Sequence, residues 1–578
     1  MYDLLIENGT IVDGTGSAPF HGDVGVADGK IAAIGPVGSI GNEAAERIDA
    51  EGLHVTPGFI DIHTHYDGQV SWDPLLTPSC WHGVTTAIIG NCGLGFAPVK
   101  PDDRQWLIEL MAGVEDIPAD VLSRAMIWGW ETFPEYLDFL SSTPRSMDVG
   151  TQVPHSALRT YVMGKRGASQ EEPTRQEIGR MRELVREALS AGALGFTTSR
   201  TTTHRATNGD PVPGTFASEA ELLGIGEALR DLDRGMFGIS PAGVAGEDDD
   251  ALSREVEQAT RLASEIQRPV CFNLTQGPGK PEAFRQALEA AHKAAERGAD
   301  VYAQVAGRPV GLLMGLETTY HPFLDRPTYA ALHDLPVAEQ LERLSDPAVR
   351  ARILSEAQSY DDPYQAMIFT QFDKMFPVLE PLNYEPGPDE SIQAIAEREG
   401  RSPAETLYDF MLREDGHNMI LFPILNYAEG NCDAILEMLR HPRALLGLAD
   451  GGAHLGTICD SSISTFMLTH WARDRSRGEQ MGLPEVIRKQ TLDTAGLYGL
   501  DDRGVLAVGK KADINVIDLA RLRLRIPEVV HDLPGGGRRL IQAAEGYVAT
   551  IVSGEVAFRN GEDTGARPGR VVRGRATT

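Results

Sequence analysis

Hydrophobic and polar residues alternate with a period of two at both ends of the chain. Near the start, short runs at 3–7, 23–26 and 30–34 are broken by Asn8-Gly9 and Asp28-Gly29, dipeptides that favour tight hairpin turns. Near the end, 513–518 and 547–552 repeat the style, the latter followed by Ser553-Gly554. These runs predict one small β domain assembled from 1–55 and 501–578 together. Between them the pattern changes to short continuous apolar runs separated by stretches of helical periodicity. Strands are expected at 58–65, 84–92, 148–155, 193–199, 236–242, 269–276, 300–306 and 445–450, with helices at 173–191, 219–232 and 280–297 among them. Eight strands with intervening helices predict an α/β fold, a (β/α)8 TIM barrel over 56–500. A long excursion near 307–440 interrupts it before the last strand and reads as a lid or side wall over a pocket.

Composition narrows the picture. At 578 residues the chain exceeds one ordinary domain, and a barrel with an insertion and a satellite absorbs the length. With 42% hydrophobic and 24% charged residues it reads as soluble and globular. No stretch approaches the roughly 18 apolar residues needed to cross a bilayer. The opening Met1-Tyr2-Asp3-Leu4-Leu5-Ile6-Glu7 lacks a basic segment and a long apolar one, so a cytoplasmic location is expected. Lys and Arg total 53 against 83 acids, and the net charge of −30 argues against nucleic acid and an anionic membrane surface as partners. Five scattered cysteines, an odd number, make no disulfide framework. Glu247-Asp248-Asp249-Asp250 precedes a helical stretch at 251–267, where acids meet a helix N-terminus and need no cation to explain them. The Gly- and Arg-rich tail at 567–578 reads as loosely ordered.

Phe59-Ile60-Asp61-Ile62-His63-Thr64-His65 carries the clearest chemistry. Alternate residues of a strand share a face, so His63 and His65 point the same way about 7 Å apart. Two imidazoles on a rigid strand are half of a site for a divalent first-row ion, which can hold a water and lower its pKa for attack on a carbonyl. Barrel enzymes keep their chemistry at the C-terminal strand ends, which here hold His63, His65, Cys92, His155, Gln276 and Asp450.

The combination resembles the amidohydrolase superfamily and, within it, the N-acyl-D-amino-acid deacylases (D-aminoacylases). The likeness runs nearly end to end. It rests on the opening 3–16, on 58–67, on Gly90-Asn91-Cys92-Gly93, on Gly113-Val114-Glu115-Asp116-Ile117-Pro118, on Asp450-Gly451-Gly452-Ala453-His454 and on the closing 504–513. The resemblance implies a metal-dependent hydrolase made of a barrel and a small β-sandwich built from both termini. By matching positions, His63, His65 and Cys92 would be metal ligands. Asp450 would be a ligand and the catalytic carboxylate, taking a proton from metal-activated water and handing it to the leaving nitrogen.

One departure matters. Superfamily members usually end the fifth and sixth strands in histidine, whereas this chain has Ile239-Ser240-Pro241-Ala242 and Phe272-Asn273-Leu274-Thr275-Gln276. The expected cofactor is therefore Zn2+, one or two ions, with a single ion held by His63, His65 and Asp450, and with Cys92, as the economical case. His155, His204 and His454 are candidates for an additional ligand. Asn273 and Gln276 suit substrate contact. An N-acyl amino acid carries a carboxylate, which calls for a fixed cation: Arg159, Arg200, Arg205 or Arg308, or Lys374 from the excursion. Trp128, Trp130, Phe196 and Tyr320 are candidates for an acyl pocket. The expected partner is a small-molecule amide, with assembly into a homo-oligomer left open. The expected reaction is cleavage of the amide C–N bond of an N-acyl (D-)amino acid or related N-acyl amide. Two alternatives stand beside it: a cyclic amide hydrolase or deaminase on the same barrel, and a catalytically silent barrel that binds a small molecule.

Overall fold

Each apolar run of the central segment forms a short strand buried on both faces, as a parallel sheet covered by helices requires. The computed structural model describes residues 1–574 apart from 42, 249, 334, 358–359 and 361–362. Its barrel strands are β1 (Phe59–Asp61), β2 (Val84–Ile89), β3 (Asp148–Thr151, continued by Val153–Pro154), β4 (Gly195–Ser199), β5 (Met236–Ser240), β6 (Val270–Asn273), β7 (Val301–Val305) and β8 (Ala444–Leu446). Every neighbouring pair from β1 to β8 is parallel. A parallel bridge between Thr64 and Gly451, just beyond β1 and β8, closes the ring. The fold is the (β/α)8 barrel. Its outer helices begin with side-chain caps: at Arg175–Ala191, Thr174 and Glu177 satisfy each other's backbone N–H groups. The apolar stripe Met181, Leu184, Val185, Ala188 and Leu189 of that helix is buried in the main core.

Strands from both termini interleave in one mixed sheet, the small β domain. Ile514–Ile517 pairs His54–Pro57 on one side and Tyr547–Val552 on the other, while Tyr2–Ile11 pairs Phe20–Ala27, Ala44–Asp49 and His54–Pro57. Asp28-Gly29 makes the expected hairpin turn between Phe20–Ala27 and Lys30–Pro36. Asn8-Gly9 does not. The strand runs through it as a bulge, because Thr10 and Ile11 continue the ladder against His54 and Val55 and leave only Asn8 at positive φ to absorb the extra residue.

Two further expectations meet the structure at the edges. The tail's described residues are ordered: Val571 and Val572 add a parallel strand beside Val149 and Gly150, and Arg567 pairs with Asp563. A two-valine segment finds an open strand edge, which composition alone did not reveal. In the acidic cluster, Asp248 accepts from the N–H groups of Asp250 and Ala251, and Glu247 from those of Gly243 and Ala245; Asp249 lies outside the described residues. The excursion has its own antiparallel sheet, Val310–Met314, Phe376–Pro377 and Ile420–Leu425, over a separate apolar core that includes Phe323, Tyr329, Ile353, Leu407 and Phe422. Its backbone bonds to the loop after β8, Leu313 to Thr457 and Thr319 to Gly456, and so forms a wall beside the barrel mouth. Among the described residues, no helix is long and apolar enough to cross a membrane.

At the opposite end of the barrel, buried Asp148 opens β3. Its carboxylate meets Arg503 at 2.6 Å, Lys511 at 2.9 Å and the backbone N–H of Arg570 at 2.8 Å, all from the C-terminal part of the chain. Burial opposes its charge, but Lys511 and Arg503 hold the carboxyl below the usual range. Asp148→Ala leaves Arg503 and Lys511 with Asp502 and Asp513 as their remaining acids and is expected to lower stability by about 1–3 kcal/mol at pH 7 in urea unfolding. Because the native pKa is depressed, that contribution is present above the ordinary carboxylate range and disappears as pH falls through the native value. The gap between variant and parent should therefore shrink in acid; a loss that is small at neutral pH would contradict this reading.

Candidate metal centre

Beyond β1 the chain stays extended and is pinned on both sides. Thr64 N–H bonds Ile88 O at 3.1 Å, His65 N–H bonds Gly451 O at 2.7 Å, and Asp450 N–H bonds His63 O at 3.0 Å. Both imidazoles thus face the mouth from backbone held between β2 and the end of β8, with ring centroids 5.4 Å apart. Cys92 sits in the tight turn Asn91–Gly93 with φ of 54°. A Cβ at Gly93, itself at positive φ, would lie 2.8 Å from the backbone of Thr198 and Ser199, so only glycine lets this turn press against β4. The turn aims Cys92 Sγ at His63 Nε2, 3.3 Å away. Asp450, also left-handed at φ of 47°, places Oδ1 3.3 Å from His63 Nε2 and 3.6 Å from His65 Nε2. The donor atoms of His63, His65 and Cys92 all lie within 4.8 Å of one another. Left-handed backbone is unfavourable for residues other than glycine, and here it occurs at two of the four converging side chains.

Charge accumulates at this point. Burial opposes protonation of His63, but Cys92 and Asp450 raise it to about 9. Burial would push the Cys92 thiol up, yet His63 and His65 bring it down to about 7. Against the same burial penalty, the imidazoles hold Asp450 well below the usual carboxylate range. A half-buried thiolate and carboxylate facing two imidazole nitrogens is a donor set that fits zinc, and a cation there relieves the repulsion between the two anions. In metal-free protein, iodoacetamide should alkylate Cys92 with a midpoint near pH 7, and zinc should block it. Cys80, Cys271, Cys432 and Cys459 are buried and should stay unmodified; equal reaction at any of them, or no zinc protection, would contradict this.

Behind the donors stand residues to which the sequence assigned no role at the site. Gln304 Oε1 lies 2.8 Å from His63 Nδ1, and Glu115 Oε1 lies 3.3 Å from His65 Nδ1. Each left a signal. Gln304 is a polar residue inside an apolar barrel strand, and Glu115 follows Leu107, Ile108 and Met111 on the buried face of the helix Arg104–Glu115. Asn273, at the end of β6, donates to Cys92 Sγ at 3.6 Å.

The remaining candidates divide. His454, 27% exposed, lies 3.7 Å from Glu115, and His204 lies beside the centre, where Nδ1 is 2.9 Å from Ser199 Oγ and burial with the neighbouring histidines lowers its pKa to about 3. His155 is set apart: both its nitrogens are taken, by Thr198 at 2.8 Å and Glu221 at 3.2 Å. Arg159, Arg200 and Arg308 are not free for a substrate carboxylate. Arg159 is bound to Glu221, Arg200 to Glu255, and Arg308 to Asp460 with its plane on Tyr384, because guanidinium groups so placed require carboxylate partners. Gln276 is engaged in part: its Oε1 accepts from Ala428 N–H and its backbone bonds Asn426, which ties the loop after β6 to the excursion, while its buried Nε2 has no hydrogen-bond partner. Trp130 and Phe196 are core residues, the first donating to Phe96 O and the second packed between His155 and Phe237. Trp128 is stacked beneath Arg104, whereas Tyr320 is 42% exposed. A second convergent group, Glu385, Cys432 and His470, is already neutralised: Arg475 donates to both Glu385 oxygens, where a metal would have to displace it.

The sequence profile of the amidohydrolase family matches residues 46–558. The N-acyl-D-aspartate deacylase of Alcaligenes xylosoxydans xylosoxydans is 27% identical over 99% of this chain and 95% of its own length. The D-aminoacylase of the same organism is 32% identical over 53% of this chain and 58% of its own. Among solved structures, the N-acyl-D-glutamate deacylase of Bordetella bronchiseptica, complexed with zinc and a phosphonate mimic of the tetrahedral intermediate, superposes with a TM-score of 0.65 at 23% identity. That superposition covers 99% of each chain.

Proposed function

The chain belongs to the amidohydrolase family and hydrolyses carbon–nitrogen bonds, and from that premise we propose that it removes the acyl group from N-acyl-D-amino acids or closely related N-acyl amides. The convergence of His63, His65, Cys92 and Asp450 at the C-terminal mouth of the barrel carries this reading, and the likeness to D-amino-acid deacylases along the whole chain supports the substrate class. A bound zinc ion would polarise the scissile carbonyl and acidify water. His63, His65, Cys92 and Asp450 would hold it, and Ser240 and Asn273 at the ends of β5 and β6 support one ion over two.

The protein's own groups do the rest. Asp450, whose carboxylate is 20% exposed and faces the mouth, accepts the proton of the attacking water and delivers it to the departing nitrogen, without which an amine leaves poorly. Asn273 is placed beside the reacting atoms as a neutral donor. With three arginines committed elsewhere, Arg205 on the loop after β4 and Lys374 of the excursion remain for the substrate carboxylate; the backbone of the Arg205 loop packs on Gly113, two residues from Glu115. Zinc-loaded protein should be assayed on N-acyl-D- and N-acyl-L-amino acids together with aryl and cyclic amides. The reading expects the highest kcat/KM on N-acyl-D-amino acids. Turnover confined to the cyclic or aryl amides would overturn it.

A further inference from the structure

Glu115 is placed against two physical preferences at once. Its side chain is 2% exposed, and it ends the helix Arg104–Glu115, where the backbone dipole is negative. Among the described residues, no lysine or arginine lies within ion-pair distance of it. The ionisable groups that face it are the buried acid Asp67 and two imidazoles: His65, whose Nδ1 has no hydrogen-bond partner and lies 3.3 Å from Oε1, and His454, whose Nε2 is 3.7 Å from Oε2. The helix end is fixed to the same region by backbone, since His454 N–H bonds Glu115 O, and by Asp116, which accepts from Gly456 N–H at 3.0 Å and from Thr319. His65 turns its other nitrogen, Nε2, toward Asp450. A carboxylate 3.3 Å from the far nitrogen of an imidazole favours the proton on that nitrogen and strengthens the near nitrogen as a donor.

We propose that Glu115 is a positioning residue for the metal site, acting through His65, which it holds with Nδ1 protonated and Nε2 presented to the ion. The inference rests on the metal-dependent reading above. His63 has the neutral amide of Gln304 in the equivalent place, so the two histidines become unequal ligands, with His65 the stronger donor. A merely structural carboxylate predicts something else: its removal would lower the melting temperature of the metal-free protein and leave zinc affinity unchanged.

The test is zinc affinity in Glu115→Gln, read by chelator competition, with His454→Gln beside it. Glu115→Gln should raise the zinc dissociation constant about 10–100-fold. The metal-free variant should melt at or above the parent temperature. With Co2+ in place of zinc, its ligand-field bands should shift while the thiolate charge-transfer band from Cys92 persists. His454→Gln should bind zinc as the parent does. Unchanged zinc affinity in Glu115→Gln would overturn the proposal, as would an equal weakening in His454→Gln or failure of metal-free Glu115→Gln to fold. A parent protein that binds no zinc fails the proposed function instead, and the same titration reveals that before any variant is compared.

Discussion

Asp450→Asn lowers kcat by about 10²–10⁴-fold with KM little changed, the range that loss of a positioned proton carrier produces. Asparagine keeps the size and the left-handed backbone that residue 450 requires, so its N–H bond to His63 O survives. What disappears is the charge. The carboxylate lies 3.3 Å from His63 Nε2 and 3.6 Å from His65 Nε2, and an amide there can neither take the proton of the attacking water nor return it to the departing nitrogen. Zinc content should fall less than activity, because His63, His65 and Cys92 still converge. Steady-state kinetics on zinc-loaded protein measure this, and a fall smaller than tenfold would remove Asp450 from the reaction.

His63→Ala is expected to lose bound zinc and to lower activity by at least about a thousandfold, since a catalytic ion supplies several kcal/mol of charge stabilisation. His63 reaches Cys92 Sγ and Asp450 Oδ1 with the same nitrogen and Gln304 with the other, so its removal dismantles the centre from its middle. The Cys92 thiol should titrate higher in the variant, because the nearby His63 charge holds it at about 7 in the parent. The metal-free parent depends on pH through both groups. His63 is raised, so its contribution to stability is lost as pH climbs through about 9; Cys92 is depressed, so its contribution is lost as pH drops through about 7. The pair therefore supports the metal-free fold between those values, and His63→Ala should flatten that part of the stability–pH curve. A variant that retains zinc and turnover would place the reaction elsewhere.

The residues that sequence made legible are those whose position follows from local periodicity. His63 and His65 share a face because a strand has period two, and Asp450 reaches the mouth because it closes an apolar run. Long-range pairing was hidden. Nothing near Arg159 or Arg308 in sequence marks Glu221 or Asp460 as their partners, so both read as free cations until the fold brought acids to them. Glu115 stood inside the 113–118 stretch that carries the family likeness, yet its role was hidden for the opposite reason. It belongs to a helix, and a charge on an apolar stripe gains meaning only when the element it faces is known. Asn8-Gly9 carries strong turn chemistry, and the ladder against His54–Pro57 overrode it.

The most direct test is a zinc titration of chelator-stripped protein, with bound metal and amide hydrolysis read on the same sample. The account predicts no turnover without metal and activity that climbs in proportion to bound zinc, levelling at about one ion per chain. Full hydrolysis by protein shown to be metal-free would contradict it.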